Sequence, residues 1–233
     1  MENNSNFETY LFISIKKFII RVSTKENKKI YEKELIIKEP LNNSINEELE
    51  SFLSQNIFKI EKIISNFIKE IFVILDSDQF FPIEVSIKKK NFERNIDIKS
   101  LNYLLNEAKD CCKKTIDDKR IIHMLINNYQ VDNKNYDFFP QGVSVNTFSF
   151  DVKFICLTKD IIENLEKILK KYFISLNQVL CADYIGVFLS NHQKDIFHMA
   201  KKIINGHNQN EVKLINKLTK KEGFFERFFN FFS

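Results

Sequence analysis

The sequence predicts an α+β protein made of two successive mixed units and closed by a short amphipathic helix. Three observations carry this. Short apolar runs rich in Ile, Val and Phe open the chain and recur in its middle, stretches with apolar residues three and four apart separate them, and residues 223–233 place their phenylalanines on one side of a helix.

Taken in order, Tyr10–Ile15 and Phe18–Ser23 read as strands joined at Lys16-Lys17, and Lys29–Lys38 as a third, which gives a meander. Leu49, Phe52, Leu53, Ile57, Ile60, Ile63 and Ile64 then recur at helical spacing across Ile45–Ile64, and Glu70–Leu75 is a short apolar run of the kind buried in a sheet. A second unit is expected over 95–182. Asp97 is placed to cap a helix over Ser100–Lys114, Arg120–Asp132 reads as a strand passing through a bend, and Thr147–Phe154 alternates apolar with polar. Thr158 is a candidate cap for a second helix carrying Ile161, Ile162, Leu165, Ile168, Leu169 and Phe173, and Leu176–Ala182 closes the unit. A further helix is expected over Gln193–Ile204, followed by the polar breaker Asn205–Asn210.

The run Ile122–Asp132 resembles a motif of the bacterial cell division family FtsA, His-Val-Leu-Pro-Gln-x-Tyr-x-Val-Asp, at His123, Leu125, Tyr129 and Asp132, with Ile126 where the family has proline. Pro140 and Gly142 match part of a following Pro-x-Gly turn, and Leu176–Ala182 is similar to a later apolar passage of the family. The resemblance implies a partial actin-like (ribonuclease H-like) sheet over 1–94, an SHS2 or 1C subdomain over 95–182, a helical remainder of the first unit over 183–204, a linker over 205–222 and an amphipathic membrane-targeting helix over 223–233. It also implies a phosphate-binding turn in the first hairpin. The corresponding residues, Ser14–Phe18, lack both the acid and the glycine of that turn, and no second glycine-rich loop follows Ala182. Lys16 and Lys17 stand either for phosphate neutralisation or for a solvated hairpin turn. The expectation is a degenerate ATP site, no cofactor and no enzymatic activity.

Composition narrows the classes further. The chain has 233 residues, 44% hydrophobic and 28% charged, enough for substantial cores. Its formal charge of +4 is spread along the chain, so nucleic acid is not an expected partner. Cys111, Cys112, Cys156 and Cys181 show no metal or redox spacing and read as reduced thiols, and the histidines are equally scattered. No run approaches the roughly 18 apolar residues of a spanning helix, and Met1–Asn6 lacks the features of a secretory signal, so a cytoplasmic location is expected. Two acid–base pairings can be drawn, Asp76 with Asp78 and His123 with Asp132, yet neither is accompanied by a nucleophile or a metal spacing, so no catalytic or metal-binding residue is expected.

At 100° per residue, Phe224, Phe225, Phe228, Phe229, Phe231 and Phe232 fall within an arc of roughly 160°, with Glu226, Arg227 and Asn230 filling the rest. Lys220, Lys221 and Arg227 add positive charge. Six phenylalanines partly sunk into an interface, each worth up to roughly 3 kcal/mol when fully buried, suffice for reversible attachment to anionic lipid. The expected function is therefore a non-catalytic peripheral adaptor of the divisome at the inner membrane, possessing a self-association surface and meeting other division proteins, with FtsZ reached only by a surface other than the family's. The alternative is a soluble scaffold related to PilM-type proteins, in which the phenylalanine helix belongs to the core.

Overall fold

A computed structural model describes residues 7–38, 44–95, 97–190 and 195–212. Strand β1 (Phe7–Ile13) pairs antiparallel with β2 (Lys17–Thr24), and β2 with β3 (Lys29–Ile36). Asn27 supplies the left-handed residue that the β2–β3 turn requires, a conformation asparagine tolerates. Helix α1 (Ile45–Ile64) opens on a capping box in which Ser44 and Glu47 satisfy each other's backbone amides, and it ends on Ser65 in the left-handed region. It returns the chain to β4 (Glu70–Leu75), parallel to β1.

The chain then leaves this sheet. Strand β5 (Phe81–Asn95), helix α2 (Ile98–Thr115), β6 (Lys119–Val131), the short β7 (Lys134–Tyr136) and β8 (Ser144–Thr158) form a second, antiparallel sheet in the order β5-β8-β6-β7. Asp97 caps α2 as expected, accepting the Ser100 amide at 2.7 Å. Helix α3 (Lys159–Lys170) leads back to β9 (Ser175–Cys181), which pairs parallel with β4 and completes the first sheet as β3-β2-β1-β4-β9. The antiparallel meander, the helix and the parallel strand β4 follow the order expected from the sequence, within a mixed α+β architecture. Thr158 stands at the start of α3 but makes no side-chain cap bond.

These pairings redraw the expected boundaries. Residues 81–94 fall inside the expected 1–94 unit, but strand β5 belongs to the second sheet, pairing with β8 from Phe81↔Cys156 onward. Residues 159–181 were expected inside the 95–182 unit but serve the first: Ile162, Leu165, Ile168 and Leu169 of α3 pack with Leu11, Val73 and Phe52, and β9 lies beside β4. Pro82 fits β5 because this is an edge strand, where a missing amide costs no ladder bond.

The first sheet is covered on both faces. Leu11, Ile13, Val73 and Leu75 face α1 and α3, while Tyr10, Phe12, Ile74 and Leu180 face α4 (Ala182–Gly186) and α5 (Ile196–Ile204). The second core is formed by Leu101, Leu104, Leu105 and Ala108 of α2 against Met124, Ile126, Phe150, Val152 and Phe154. Among the described residues no helix is long and apolar enough to cross a membrane. The expected helix over 223–233 lies outside them.

Candidate functional site

In open sheets with parallel strands, ligands bind beyond the carboxyl ends of the strands, where the chain changes direction. Here the carboxyl ends of β1 and β4 and the first turns of α1 and α3 enclose a cleft of about 430 Å³. Its floor is apolar, with Ile13, Leu49, Leu75 and Leu165, and its rim carries Ser14, Asn46, Asp76, Asp78 and Asn164. The amide of Asp76 donates to the carbonyl of Ile13 at 2.8 Å, tying the two strand ends together.

The turn after β1 is where a phosphate would be held. The amides of Ser14, Lys16 and Lys17 are already used: Ser14 Oγ accepts the amides of Lys16 at 3.2 Å and Lys17 at 3.0 Å, and Ser14 donates through its hydroxyl and its amide to the Lys17 carbonyl. Lys17 pairs with Glu34 on β3 at 2.9 Å. The rim adds two carboxylates, and among the described residues no cationic side chain lines the cleft. A nucleotide phosphate is held by open amides and opposing positive charge. Among the described residues no group of three or more His, Cys, Asp or Glu side chains is arranged to hold a metal ion.

Asp76 and Asp78 both reach the cleft, but His123 and Asp132 are not brought together. Asp132 sits at φ +45° and its carboxylate accepts the amides of Asn146 and Thr147, closing the loop that joins β7 to β8. Those bonds hold its carboxyl below the usual aspartate range. The loop itself folds back, with Phe139 against Tyr129 and Phe148, and leaves Phe138 exposed.

His123 instead anchors a buried polar seam between the two sheets. Its Nε2 accepts the amide of Cys181 at 3.1 Å, which assigns the ring proton to Nδ1, and Nδ1 donates to Glu211 Oε1 at 2.8 Å. The other Glu211 oxygen accepts the Tyr184 hydroxyl at 3.0 Å, which in turn accepts from Asn208 at 2.9 Å. Burial pushes the Tyr184 phenol well above its ordinary range, with the Glu211 carboxylate adding to it against the opposing Asn208 bond. Beside the seam, the Ile126 amide donates to Asn210 and the Val212 amide to Met124. Residues 205–212, expected as the start of a linker, are thus fixed to β6. Sequence reasoning missed Glu211 and Tyr184 because His123 and Glu211 stand 88 residues apart; the available signal was only that a histidine among apolar strand residues needs polar partners.

The membrane-binding residues expected from the sequence, Lys220, Lys221, Phe224, Phe225, Arg227, Phe228, Phe229, Phe231 and Phe232, lie outside the described residues.

No family model matches the sequence, and no curated protein matches it. Among solved structures the chain is similar to a PilM-PilN type IV pilus biogenesis complex, at 8% identity over 78% of this chain and 49% of that one, with a TM-score of 0.49. It is also similar to a Bacteroides thetaiotaomicron protein described as having an actin-like ATPase fold and unknown function, at 13% identity over 78% of this chain and 55% of that one, with a TM-score of 0.33. The chain spans about half the length of each.

Proposed function

We propose that the chain is a non-catalytic adaptor of the bacterial cell division machinery, FtsA-like, which gathers protein partners at the cytoplasmic face of the inner membrane. The observation that carries the non-catalytic part is the turn after β1, closed on Ser14, at the place where a nucleotide-hydrolysing protein of this architecture needs open amides. On this reading the second sheet, with its order of strand, helix, strand, strand, strand, is an SHS2-type subdomain serving division proteins or a second copy of the chain. The terminal phenylalanine helix is the lipid anchor. Magnesium-ATP titrated into the protein in a calorimeter is expected to give no binding heat; a saturable heat would return the cleft to nucleotide chemistry.

Attachment is tested by flotation with anionic liposomes, comparing the intact chain, a chain ending at Glu222 and Phe228→Asp. Only the intact chain is expected to float. A second reading, a soluble scaffold of the PilM type, is favoured by one observation: Val212, the last described residue, is bonded to β6 of the packed body. Loss of stability in both variants, with no flotation of any of the three, selects that reading.

A further inference from the structure

Opposite the cleft, at the amino ends of β4 and β9, the first sheet presents two phenylalanines to solvent. Phe67 lies between α1 and β4 and is 74% exposed; Phe173 lies between α3 and β9 and is 95% exposed. The two loops are held side by side, because the Ser175 amide donates to the Lys69 carbonyl at 2.9 Å and each phenylalanine stands two residues before one end of that bond. Ile63, in the last turn of α1, is exposed at the same end.

Phe173 is also strained, at φ +60°, a left-handed conformation that a bulky side chain adopts at a cost of order 1 kcal/mol or more. Asparagine or glycine would satisfy the backbone there without presenting a ring to water. The local backbone fixes that conformation, with the Phe173 amide donating to Lys170 and the Ile174 amide to Leu169. Exposed lysines flank both phenylalanines along the chain, Lys62 and Lys69 on either side of Phe67 and Lys170 and Lys171 just before Phe173, the last paired with Glu50. Of the carboxylates at this end, Glu61 accepts the Ile68 amide, and the exposed Glu70 accepts from Asn177. Aromatic tips on adjacent loops flanked by lysines complement a surface that is apolar beneath and anionic above.

We propose that this end of the first sheet is a lipid-contacting surface for an anionic bilayer, with Phe67 and Phe173 entering the boundary between headgroups and chains. It deepens the membrane reading above and rests on it for the kind of partner, while using residues independent of the terminal helix. The chain contains no tryptophan, so a single introduced one reports its own depth. Full-length Phe173→Trp and Phe67→Trp, each mixed with phosphatidylglycerol vesicles carrying brominated chains, are expected to lose roughly half their emission, since interfacial side chains sit ~5–10 Å into that boundary. Ile36→Trp, on β3, is expected to keep its emission. Phe173→Asn, which suits the left-handed backbone, is expected to lower vesicle affinity several-fold while leaving thermal stability unchanged or raised.

Unquenched tryptophan at both 67 and 173 overturns the proposal, and leaves the surface to a protein partner or to none. A Phe228→Trp control separates the two ideas. Quenching at 228 alone sinks this surface and keeps the anchored adaptor, whereas quenching at 67 and 173 but not at 228 keeps the surface and removes the terminal helix as the anchor.

Discussion

The first sheet is covered on both faces, by α1 and α3 on one side and by α4 and α5 on the other, whereas the second carries α2 on one face and joins its neighbour along β6 and the end of β8. Glu84, Ser86 and Lys88 of β5 are exposed on the side away from α2. The two sheets are joined by Ile122, Leu125, Ile155 and Leu157, which pack with the first unit, and by the polar seam at His123. A doubly covered sheet is held chiefly by apolar burial. A singly covered one depends more on what fastens its open side, and here that fastening is a few directional bonds.

The largest effect is expected from cutting the seam. Glu211→Ala leaves His123 Nδ1 and the Tyr184 hydroxyl buried without their acceptor and should cost about 3 kcal/mol in denaturant unfolding. Amide exchange should accelerate first at Ile126 and Cys181. Glu211→Gln, which keeps one acceptor, should cost less, and equal losses for the two variants would refute the assigned roles.

Next comes Arg21, the polar pin of the first sheet. It bonds Glu32 on β3, grips both oxygens of Asp195 at 2.7 and 2.6 Å, and lies 4.3 Å from the centre of the Phe197 ring. Burial works to raise the carboxyls of Asp195 and Glu32, but it is outweighed by the bonds and charge of Arg21, with Lys29 acting on Glu32 and backbone amides on Asp195. Both carboxyls are therefore held below their ordinary range. Their contribution is fully present above about pH 4 and is lost as pH falls through the depressed values. Arg21→Ala should cost about 1–2 kcal/mol at neutral pH and flatten the acid limb of the stability curve. An unchanged acid limb would remove Arg21 as the cause.

The thiols sharpen the contrast by access. Cys111 is exposed, while Cys112, Cys156 and Cys181 are buried. Burial pushes the Cys156 thiol up to about 12, with Cys112 beside it adding to the shift. The folded protein keeps a proton that the unfolded chain releases above the ordinary thiol range, so folding is penalised by about 1 kcal/mol near pH 10 and by more as pH rises toward 12. A thiol reagent at pH 8 should modify Cys111 quickly and the other three only on unfolding; rapid modification of Cys156 would show that the second core opens.

The smallest effect belongs to β1. Thr9 is buried, and among the described residues its hydroxyl has no hydrogen-bond partner. Thr9→Val should stabilise the protein by up to about 1 kcal/mol in thermal unfolding. A loss of that size would point to a partner for the hydroxyl.

The same contrast explains what could be read from the sequence. Residues of the first sheet announce themselves locally: Glu70–Leu75 is a continuous apolar run because both its faces are buried, and Ile45–Ile64 has the bounds of the observed helix because its cap and its periodicity agree. Strand β5 was hidden. Its Ile83, Val85 and Ile87 alternate, but Lys88, Lys89 and Lys90 follow, and its partner β8 is a strand dozens of residues downstream. The seam was hidden for the same reason, since a pairing between distant residues leaves no local trace. The closed turn at Ser14 was half legible: the missing glycine and acid were visible, and the hydroxyl that takes up the amides was not.

The insertion of one sheet within the other also sets an order of assembly. Strands β4 and β9 are neighbours, yet the second sheet lies between them along the chain, so a ribosome must deliver all of it before the first sheet can be completed. Closing a loop costs about 0.6 kcal/mol for each doubling of its length. Once Phe81 has paired with Cys156, the inserted residues form a staple whose two ends emerge together, and the search that remains for β9 is only as long as the short segments on either side. A chain built this way gains from folding its middle first.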